Sequence, residues 1–324
     1  QFVEAVDSMR GWGKGLRRAV ARWYTEKTPE ALAYQVLKYQ SRNGWSHKDV
    51  LRLCHAEPKP GQGTIFRWIV TGESLGERKV KRGKDEVSTY AAVPALPPLL
   101  TAFESLKLCG QSEPASYTAT LVRQHRMSHE MVPSELKGTA EVWDALAEHM
   151  PMGALLRNLN QLTAKGVIAP LNQRGLQLAG RLVDEAQIKK AKLHPLSIFT
   201  ARKVYGQGHG DKGDLKWLPD ARILEALDAA FYLSFKTIVP TNNPFLLCLD
   251  VSASMTWSNC LGTNITPREA SAIMAMATAR SEKNWHVKGF SSTLMDIAIK
   301  PTMSMPDVVK VIEKVPAAHT DAAL

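Results

Sequence analysis

Residues 244–254 read PFLLCLDVSAS, and this stretch decides the fold of the C-terminal part of the chain. Its first six residues form a short apolar run, which is typical of a strand buried on both faces of a parallel α/β sheet. Asp250, Ser252 and Ser254 follow at the carboxyl end of that strand, where α/β folds bind ligands. A carboxylate and two hydroxyls suit Mg²⁺ or another hard divalent cation better than zinc. The stretch therefore predicts a strand followed by a metal-binding loop.

The elements predicted after this loop have a definite order. A helix is expected at 266–280, strands at 285–290 and 294–299, and a second helix at 304–314. Thr320 then falls at the start of the next loop. This order resembles a von Willebrand A domain, a Rossmann-like α/β fold. In the metal ion-dependent adhesion site (MIDAS) of such domains a second loop contributes a Thr, so the resemblance implies Thr320 as a further metal ligand.

Two features of the motif leave alternatives open. Asp-x-Ser-x-Ser also occurs in polar strand-to-helix turns, where the hydroxyls cap the backbone. The third metal loop of an adhesion site would follow Leu324, so we expect only the N-terminal half of the domain, in incomplete form, at 241–324. No Gly-x-Ser-x-Gly elbow surrounds either serine, which argues against a serine nucleophile and favours a protein that is not an enzyme.

Residues 1–240 show apolar residues at helical spacing and are predicted to be all-α, without a strand pair. Thr28 and Ser46 are expected to cap helices, the latter in a capping box with Asp49. Consecutive helices joined by short turns predict antiparallel pairs stacked as HEAT-like repeats, although a compact bundle is also possible. The linker at 237–244 sets the predicted domain boundary.

The charge of the chain is concentrated in its first part. Of 41 basic and 31 acidic residues, seven of each follow residue 240, which leaves 34 basic and 24 acidic residues in 1–240. The whole net charge of +10 therefore lies there and suggests a polyanionic partner. The segment 76–84 holds five basic residues and is expected to be either a solvated mobile loop or an arm that grips phosphates.

Composition indicates the cellular compartment of the protein. The four cysteines have no CxxC spacing and are too sparse for a disulfide scaffold, which favours a reducing compartment. The longest apolar runs fall far short of the roughly 20 residues needed to span a bilayer. We therefore expect a cytoplasmic protein without a membrane segment.

Several motifs along the chain together resemble the Ro ribonucleoprotein family, whose characteristic module is the TROVE domain. The most distinctive is the NGWSHKD string, and the resemblance extends over nearly the whole chain. The matching motifs are GKGLRRAV at 13–20, WY at 23–24, KY at 38–39, RNGWSHKD at 42–49, LLRNL at 155–159, HP at 194–195, YGQGHG at 205–210, LKW at 215–217, LDAAFY at 227–232 and LDVSASM at 249–255.

This resemblance implies a fold and a function. The implied fold is mainly α, a HEAT-like helical-repeat toroid followed by the α/β von Willebrand A domain. The implied partners are noncoding RNAs: small structured Y RNA on a basic outer face, and 3′ ends of misfolded RNA in a central hole. The resemblance also implies a role in RNA quality control together with a 3′ exoribonuclease, and Mg²⁺ at the adhesion-type site. It implies no DNA partner.

Basic residues near the NGWSHKD motif are the predicted RNA contacts. His47 and Lys48 lie in the first turn of the helix capped by Ser46, where anions are favoured. Ordinary solvated charges and a histidine without a binding role are the alternative interpretation. The predicted contact residues are Arg17, Arg18, Lys38, Arg42, His47, Lys48, Arg52, Arg123 and His125.

A second function is possible from the same sequence. In it the chain is a protein-interaction scaffold whose von Willebrand A metal receives a carboxylate of a partner protein. That hypothesis makes no use of the positive excess in 1–240, and a hydrolase is a more distant third. The sequence therefore favours RNA binding.

Overall fold

The computed structural model describes residues 11–72, 78–82, 85–89, 96–109, 112–210, 213–260, 262–291 and 293–315. The chain divides into two compact units between His149 and Met150, which we call the N-terminal unit and the C-terminal unit. The predicted fold class, mainly α followed by an α/β part, is confirmed. The domain boundary near residue 240 stays a prediction. Among the described residues, no helix has the length and apolar character that crossing a membrane requires.

Short helices and two hairpins make up the N-terminal unit. Thr28 caps the second helix as predicted, its Oγ1 accepting from the backbone N–H of Ala31. The elements are α1 (Lys14–Thr25), α2 (Pro29–Lys38), β1 (Ser41–Arg42), β2 (Trp45–Ser46), α3 (His47–Cys54), α4 (Gly63–Thr71), β3 (Arg78–Arg82), β4 (Asp85–Thr89), α5 (Pro98–Cys109), α6 (Ala115–His125) and α7 (Ala140–His149).

The core of this unit lies among the first four helices. Tyr24, Leu32, Val36, Leu51 and Ile65 are buried in one apolar cluster. They come from four helices, so the stripe that each helix carries at helical spacing is buried against the others. This packing fixes α1 beside α3, where predicted RNA contacts lie.

The prediction that 1–240 lacks strand pairs is wrong. β1 and β2 pair antiparallel around Asn43-Gly44, and both turn residues have positive φ (51° and 79°). Such angles are those of the two-residue hairpin turns that Asn-Gly favours. β3 lies in the segment 76–84, which was expected to be a loop or arm, and pairs antiparallel with β4, which follows that segment.

Five helices open the C-terminal unit: α8 (Met152–Ala164), α9 (Gln173–Leu182), α10 (Glu185–Ala191), α11 (Pro195–Gln207) and α12 (Ala221–Ser234). Gly208 ends α11 at a φ of 75°, and a Cβ there would lie 3.1 Å from the carbonyl oxygen of Trp217. Trp217 in turn donates through Nε1 to the carbonyl of Tyr205 at 2.8 Å. A glycine at this turn therefore lets the following segment pack back on α11.

The same unit contains the predicted α/β part. Its elements are β5 (Phe245–Asp250), α13 (Pro267–Ser281), β6 (Trp285–Phe290), β7 (Leu294–Asp296) and α14 (Met305–Glu313). β5 pairs parallel with β6, and β6 pairs antiparallel with β7. Thr266 and Ser304 close capping boxes at the starts of α13 and α14. The element order predicted from the sequence is thus confirmed over the described residues.

One prediction for this sheet is wrong. β5 was expected to be buried on both faces, but Leu246 is 63% exposed and Cys248 is exposed too, while Leu249 is buried. α13 packs against the strand, whereas the described residues leave the side of Leu246 uncovered. An apolar run therefore marked the strand correctly but not the extent of its burial.

Candidate nucleic-acid interface and metal loop

The capping box at the start of α3 is formed as predicted. Ser46 Oγ accepts from the backbone N–H of Asp49 at 3.3 Å, and the Asp49 carboxylate accepts from the backbone N–H of Ser46 at 3.0 Å. The Ser46 hydroxyl also donates to the Asp49 carboxylate, and this hydrogen bond, together with the one from the Ser46 backbone N–H, lowers the pKa of Asp49. The box fixes where α3 begins and so places His47 and Lys48 in its first turn.

His47 is held from two sides. Its Nδ1 lies 2.8 Å from the hydroxyl of Tyr24, and its ring stacks on that of Trp23 at 6.0 Å between centroids. Burial lowers the pKa of His47, although the nearby carbonyl of Tyr39 opposes the shift. Because a histidine with a depressed pKa is neutral at pH 7, His47 contributes a hydrogen bond and ring stacking here rather than a positive charge.

Two cations lie over the ring of Tyr39. Lys38 Nζ is 5.5 Å from the ring centroid and the Arg42 guanidinium carbon is 5.6 Å from it. Lys38 is half-buried and also lies 5.7 Å from the ring of Tyr34. The β1–β2 turn sets the position of Arg42, and cation–π attraction keeps both charges at the surface beside a ring that is 39% exposed.

The sequence did not identify the cation that pairs with Trp23. Lys27 Nζ lies 3.6 Å from the Trp23 ring centroid, and the tryptophan is 40% exposed. The spacing of four residues across the end of α1 was the available signal. We call Trp23, Lys27, Lys38, Tyr39 and Arg42 the cation–aromatic surface. His47 links its two halves, because it stacks on Trp23 and lies near the Tyr39 carbonyl.

The other predicted contacts near α3 lie on α1 and α3 themselves. Arg17 and Arg18 are exposed on α1, Lys48 is half-buried in the first turn of α3, and Arg52 is exposed in its last turn. α1 and α3 pack together, so these four cations belong to one pair of adjacent helices. Their role in binding stays a prediction.

Arg123 and His125 lie elsewhere in the N-terminal unit. Arg123 joins α6 to α7, with its guanidinium 2.8 Å from Glu148 and 3.0 Å from Asp144. The hydrogen bond to Glu148, with the charge of both carboxylates, raises the pKa of Arg123. His125 is half-buried in the last turn of α6. The charge of Arg123 is thus matched within the unit, which gives it a structural role whether or not it also contacts a ligand.

The predicted metal loop follows β5 in the C-terminal unit. Asp250 Oδ1 accepts from the backbone N–H of Ser252 at 2.8 Å, and the hydroxyls of Ser252 and Ser254 lie 2.9 Å apart. The structure thus brings the three oxygen-bearing side chains into one turn. Thr320, the predicted fourth ligand, lies outside the described residues.

The chemistry of this loop fits a hard cation. A carboxylate and two adjacent hydroxyls are the oxygen donors that such ions take. The described residues contain no cluster of three His, Cys, Asp or Glu side chains that could hold a metal ion. The donor set is therefore compatible with Mg²⁺.

Arg268 supports the metal loop and was not identified from the sequence. Its guanidinium donates to the carbonyls of Val251 and Ser252 at 3.3 and 3.2 Å. The arginine lies in the first turn of α13, two residues after the Thr266 cap. These hydrogen bonds join the loop to α13. They span 16 and 17 residues in sequence, so local sequence patterns do not reveal them.

Two known domain families match the chain. Residues 2–203 match the TROVE domain, and residues 244–324 match the Ro60 vWA domain. The first match covers more than half of the chain. It includes the cation–aromatic surface, and the second includes the metal loop.

Relatives match over nearly the whole chain. A protein named RNA-binding protein RO60 from Caenorhabditis elegans is 32% identical over 349 aligned positions, covering 98% of this chain and 53% of its relative. A protein of the same name from Deinococcus radiodurans is 31% identical and is covered to 58%. The chain thus spans little more than half the length of these relatives.

A solved structure agrees with these matches. The crystal structure of the Deinococcus radiodurans RO (RSR) protein superposes with a TM-score of 0.80 at 31% identity, over 99% of this chain and 62% of that one. The folds therefore correspond along the length of the chain. From these matches we conclude that the chain belongs to the Ro family of TROVE-domain proteins.

Proposed function

We propose that this protein binds RNA through the cation–aromatic surface of its N-terminal unit. The observation that carries the proposal is the arrangement around α3, where Lys27, Lys38 and Arg42 lie over the faces of two partly exposed aromatic rings. Cations attract phosphates and exposed rings stack on unpaired bases, so this combination suits RNA. The name of the two relatives, RNA-binding protein RO60, supports the same function.

We propose small structured noncoding RNA of the Y RNA type as the partner of this surface. The family resemblance supports this choice, and it also supports capture of misfolded RNA by its 3′ end. In this proposal the protein acts in cytoplasmic RNA quality control beside a 3′ exoribonuclease. Its own role is binding rather than catalysis, so labelled RNA incubated with the protein and Mg²⁺ should stay intact.

We also propose that Asp250, Ser252 and Ser254, with Thr320, hold Mg²⁺. The oxygen chemistry of the loop supports this assignment. A bound ion would supply a Lewis-acidic position able to accept a carboxylate of a partner protein. Asp250 and Ser252 orient the loop through their own hydrogen bond, and Arg268 holds its backbone in place.

RNA affinity of paired variants tests the main proposal. Fluorescence anisotropy with a structured hairpin RNA would compare Lys38→Ala/Arg42→Ala with the matched control Arg202→Ala/Lys236→Ala. The control removes the same two residue types in the C-terminal unit, where they pair with Asp228 and Glu185. We expect the first variant to weaken binding about 10- to 100-fold and the control by less than about twofold.

Two outcomes of this experiment would count against the proposal. Equal loss of RNA affinity in the two variants would mean that the overall positive charge of the protein, and not this surface, determines RNA binding. Absence of RNA binding by the unmodified protein, together with binding of a protein partner that a chelator abolishes, would favour the scaffold function.

A further inference from the structure

The C-terminal end of α11 contacts the start of α13 through two side chains. Lys203 Nζ donates to both carboxylate oxygens of Glu269, at 3.0 and 2.9 Å. One turn later along α11, Gln207 Oε1 accepts from Nδ2 of Asn264 at 3.0 Å. Asn264 and Glu269 lie on either side of the Thr266 cap in sequence. The two contacts together fix both the position and the direction of the first turn of α13.

Glu269 also belongs to the capping box that begins α13. Its Oε2 accepts from the backbone N–H of Thr266 at 2.9 Å, and its own backbone N–H donates to Thr266 Oγ1 at 3.2 Å. The side chain of Glu269 is 22% exposed and that of Lys203 is 29% exposed, so the ion pair is partly shielded from water. Charged hydrogen bonds are stronger in such surroundings than on the open surface. Lys203 therefore holds the carboxylate that defines where α13 begins.

The residue before Glu269 carries this placement to the metal loop. Arg268 donates to the carbonyls of Val251 and Ser252, and its side chain is only 12% exposed. The donors of a planar guanidinium point in fixed directions, so Arg268 holds the loop only while its own backbone stays in place. The contacts from α11 fix that backbone one residue away. A continuous path of hydrogen bonds thus joins α11 to the metal loop through Lys203, Glu269 and Arg268.

We propose that Lys203 and Gln207 are positioning residues for the metal loop, so that α11 determines how tightly the loop binds a divalent cation. The inference rests on the proposed Mg²⁺ site and adds to it a dependence on the helical part of the C-terminal unit. Groups behind a metal ligand change metal affinity by about 10- to 100-fold. Lys203 acts through further residues, so its effect is smaller. Because coupling between two sites is reciprocal, a cation in the loop stabilises the contacts of α11 in return.

The sign of the effect separates positioning from simple electrostatics. Lys203→Gln removes a positive charge and leaves Glu269 without its partner, so Coulomb interactions alone would make the loop bind cations more tightly. Loss of positioning makes binding weaker instead. Lys203→Arg keeps the charge and offers at least two donors to the carboxylate, so it should bind cations as the unmodified protein does.

Titration with Mn²⁺, with the free ion measured by electron paramagnetic resonance, compares these variants. We expect Lys203→Gln to weaken Mn²⁺ binding about three- to tenfold and Lys203→Arg to change it by less than about twofold. Lys236→Gln is the matched control, since Lys236 forms an ion pair of the same kind with Glu185 in the same unit, and neither residue belongs to α13. Asp250→Asn removes the carboxylate of the loop and shows whether Mn²⁺ binds there.

Three outcomes would count against the proposal. Tighter or unchanged binding in Lys203→Gln would overturn the positioning role while leaving the metal site intact. A loss of equal size in Lys236→Gln would also overturn it, because general destabilisation of the unit would then explain the result. If the unmodified protein and Asp250→Asn did not differ in Mn²⁺ binding, the proposed metal site would fail, and this inference with it.

Gln207→Ala tests the same path without a change of charge. It removes the hydrogen bond to Asn264, and we expect Mn²⁺ affinity to fall about two- to fivefold. We also expect faster hydrogen exchange at the backbone amides of residues 250–256 in both Gln207→Ala and Lys203→Gln without any metal, because the loop loses its support. Unchanged exchange in both variants would contradict the path from α11 to the loop.

Discussion

The cations around α3 have different contacts from those of α11 in the C-terminal unit. Around α3, Lys27, Lys38 and Arg42 lie over aromatic rings. In the C-terminal unit, Arg202 and Lys203 instead pair with carboxylates. An aromatic face holds a cation without neutralising it, whereas a carboxylate cancels its charge. The comparison teaches that the number of basic residues matters less for binding RNA than what each of them already contacts.

The largest effect that this comparison predicts is on stability in the C-terminal unit. Asp220 is buried, accepts two hydrogen bonds from the Arg222 side chain and caps α12. We expect Asp220→Ala to lower the free energy of unfolding by about 2–4 kcal/mol, because it removes a helix cap and two charged hydrogen bonds. Chemical denaturation would measure the change.

The exposed pair of Asp228 and Arg202 provides the control for that measurement. Asp228→Ala should cost less than about 1 kcal/mol, since surface ion pairs contribute little. Arg42→Ala should likewise leave stability nearly unchanged, because Arg42 is exposed and its ring contact is at the surface. A loss for Arg42→Ala as large as that for Asp220→Ala would contradict the contrast between the two regions.

A smaller effect concerns the salt dependence of RNA binding. Lys48→Ala should reduce the slope of log affinity against log salt by about one, because one phosphate contact and its released counterion are lost. The measurement is a salt titration of affinity for a structured RNA. Lys300→Ala, a substitution of an exposed lysine in the C-terminal unit, should leave the slope as it is. Equal slopes for all three proteins would remove Lys48 from the interface.

The smallest effect is the pH dependence of stability due to His47. Burial lowers its pKa below the ordinary value of 6.5, so the unfolded chain binds this proton more readily than the folded one. The stability that the neutral ring contributes is therefore present above that value and is lost as pH falls. We expect His47→Gln to flatten the fall in stability between about pH 7.5 and pH 5.5 by at most about 1 kcal/mol. A steeper fall in the variant would reverse the sign and contradict the burial argument.

Structural features that depend only on residues close together in the sequence were predictable. The capping box of Ser46 and Asp49 needs only a spacing of three residues, and the run before Asp250 marks a strand through its composition. The element order after residue 244 followed from such local signals. The predicted oxygen donors of the metal loop came together for the same reason, since they lie within five residues.

Contacts between distant elements were not predictable. The hydrogen bond between Tyr24 and His47 spans 23 residues. A groove beside α3 is lined by His47, Trp68 and Glu130, which come from segments far apart in sequence. The β3–β4 hairpin was missed because its first strand is dominated by basic residues, which suggested a solvated segment. The burial of His47 was missed as well, since it depends on how α1 packs beside α3.

The central claim is that RNA contacts the cation–aromatic surface of the N-terminal unit. Ultraviolet crosslinking to structured RNA, followed by mass spectrometry of the peptides and sequencing of the RNA, tests it most directly. We predict crosslinks concentrated at Trp23 and Tyr39, whose exposed rings lie beside the cations. Crosslinks confined to residues 150–315, with none in 11–72, would contradict the account.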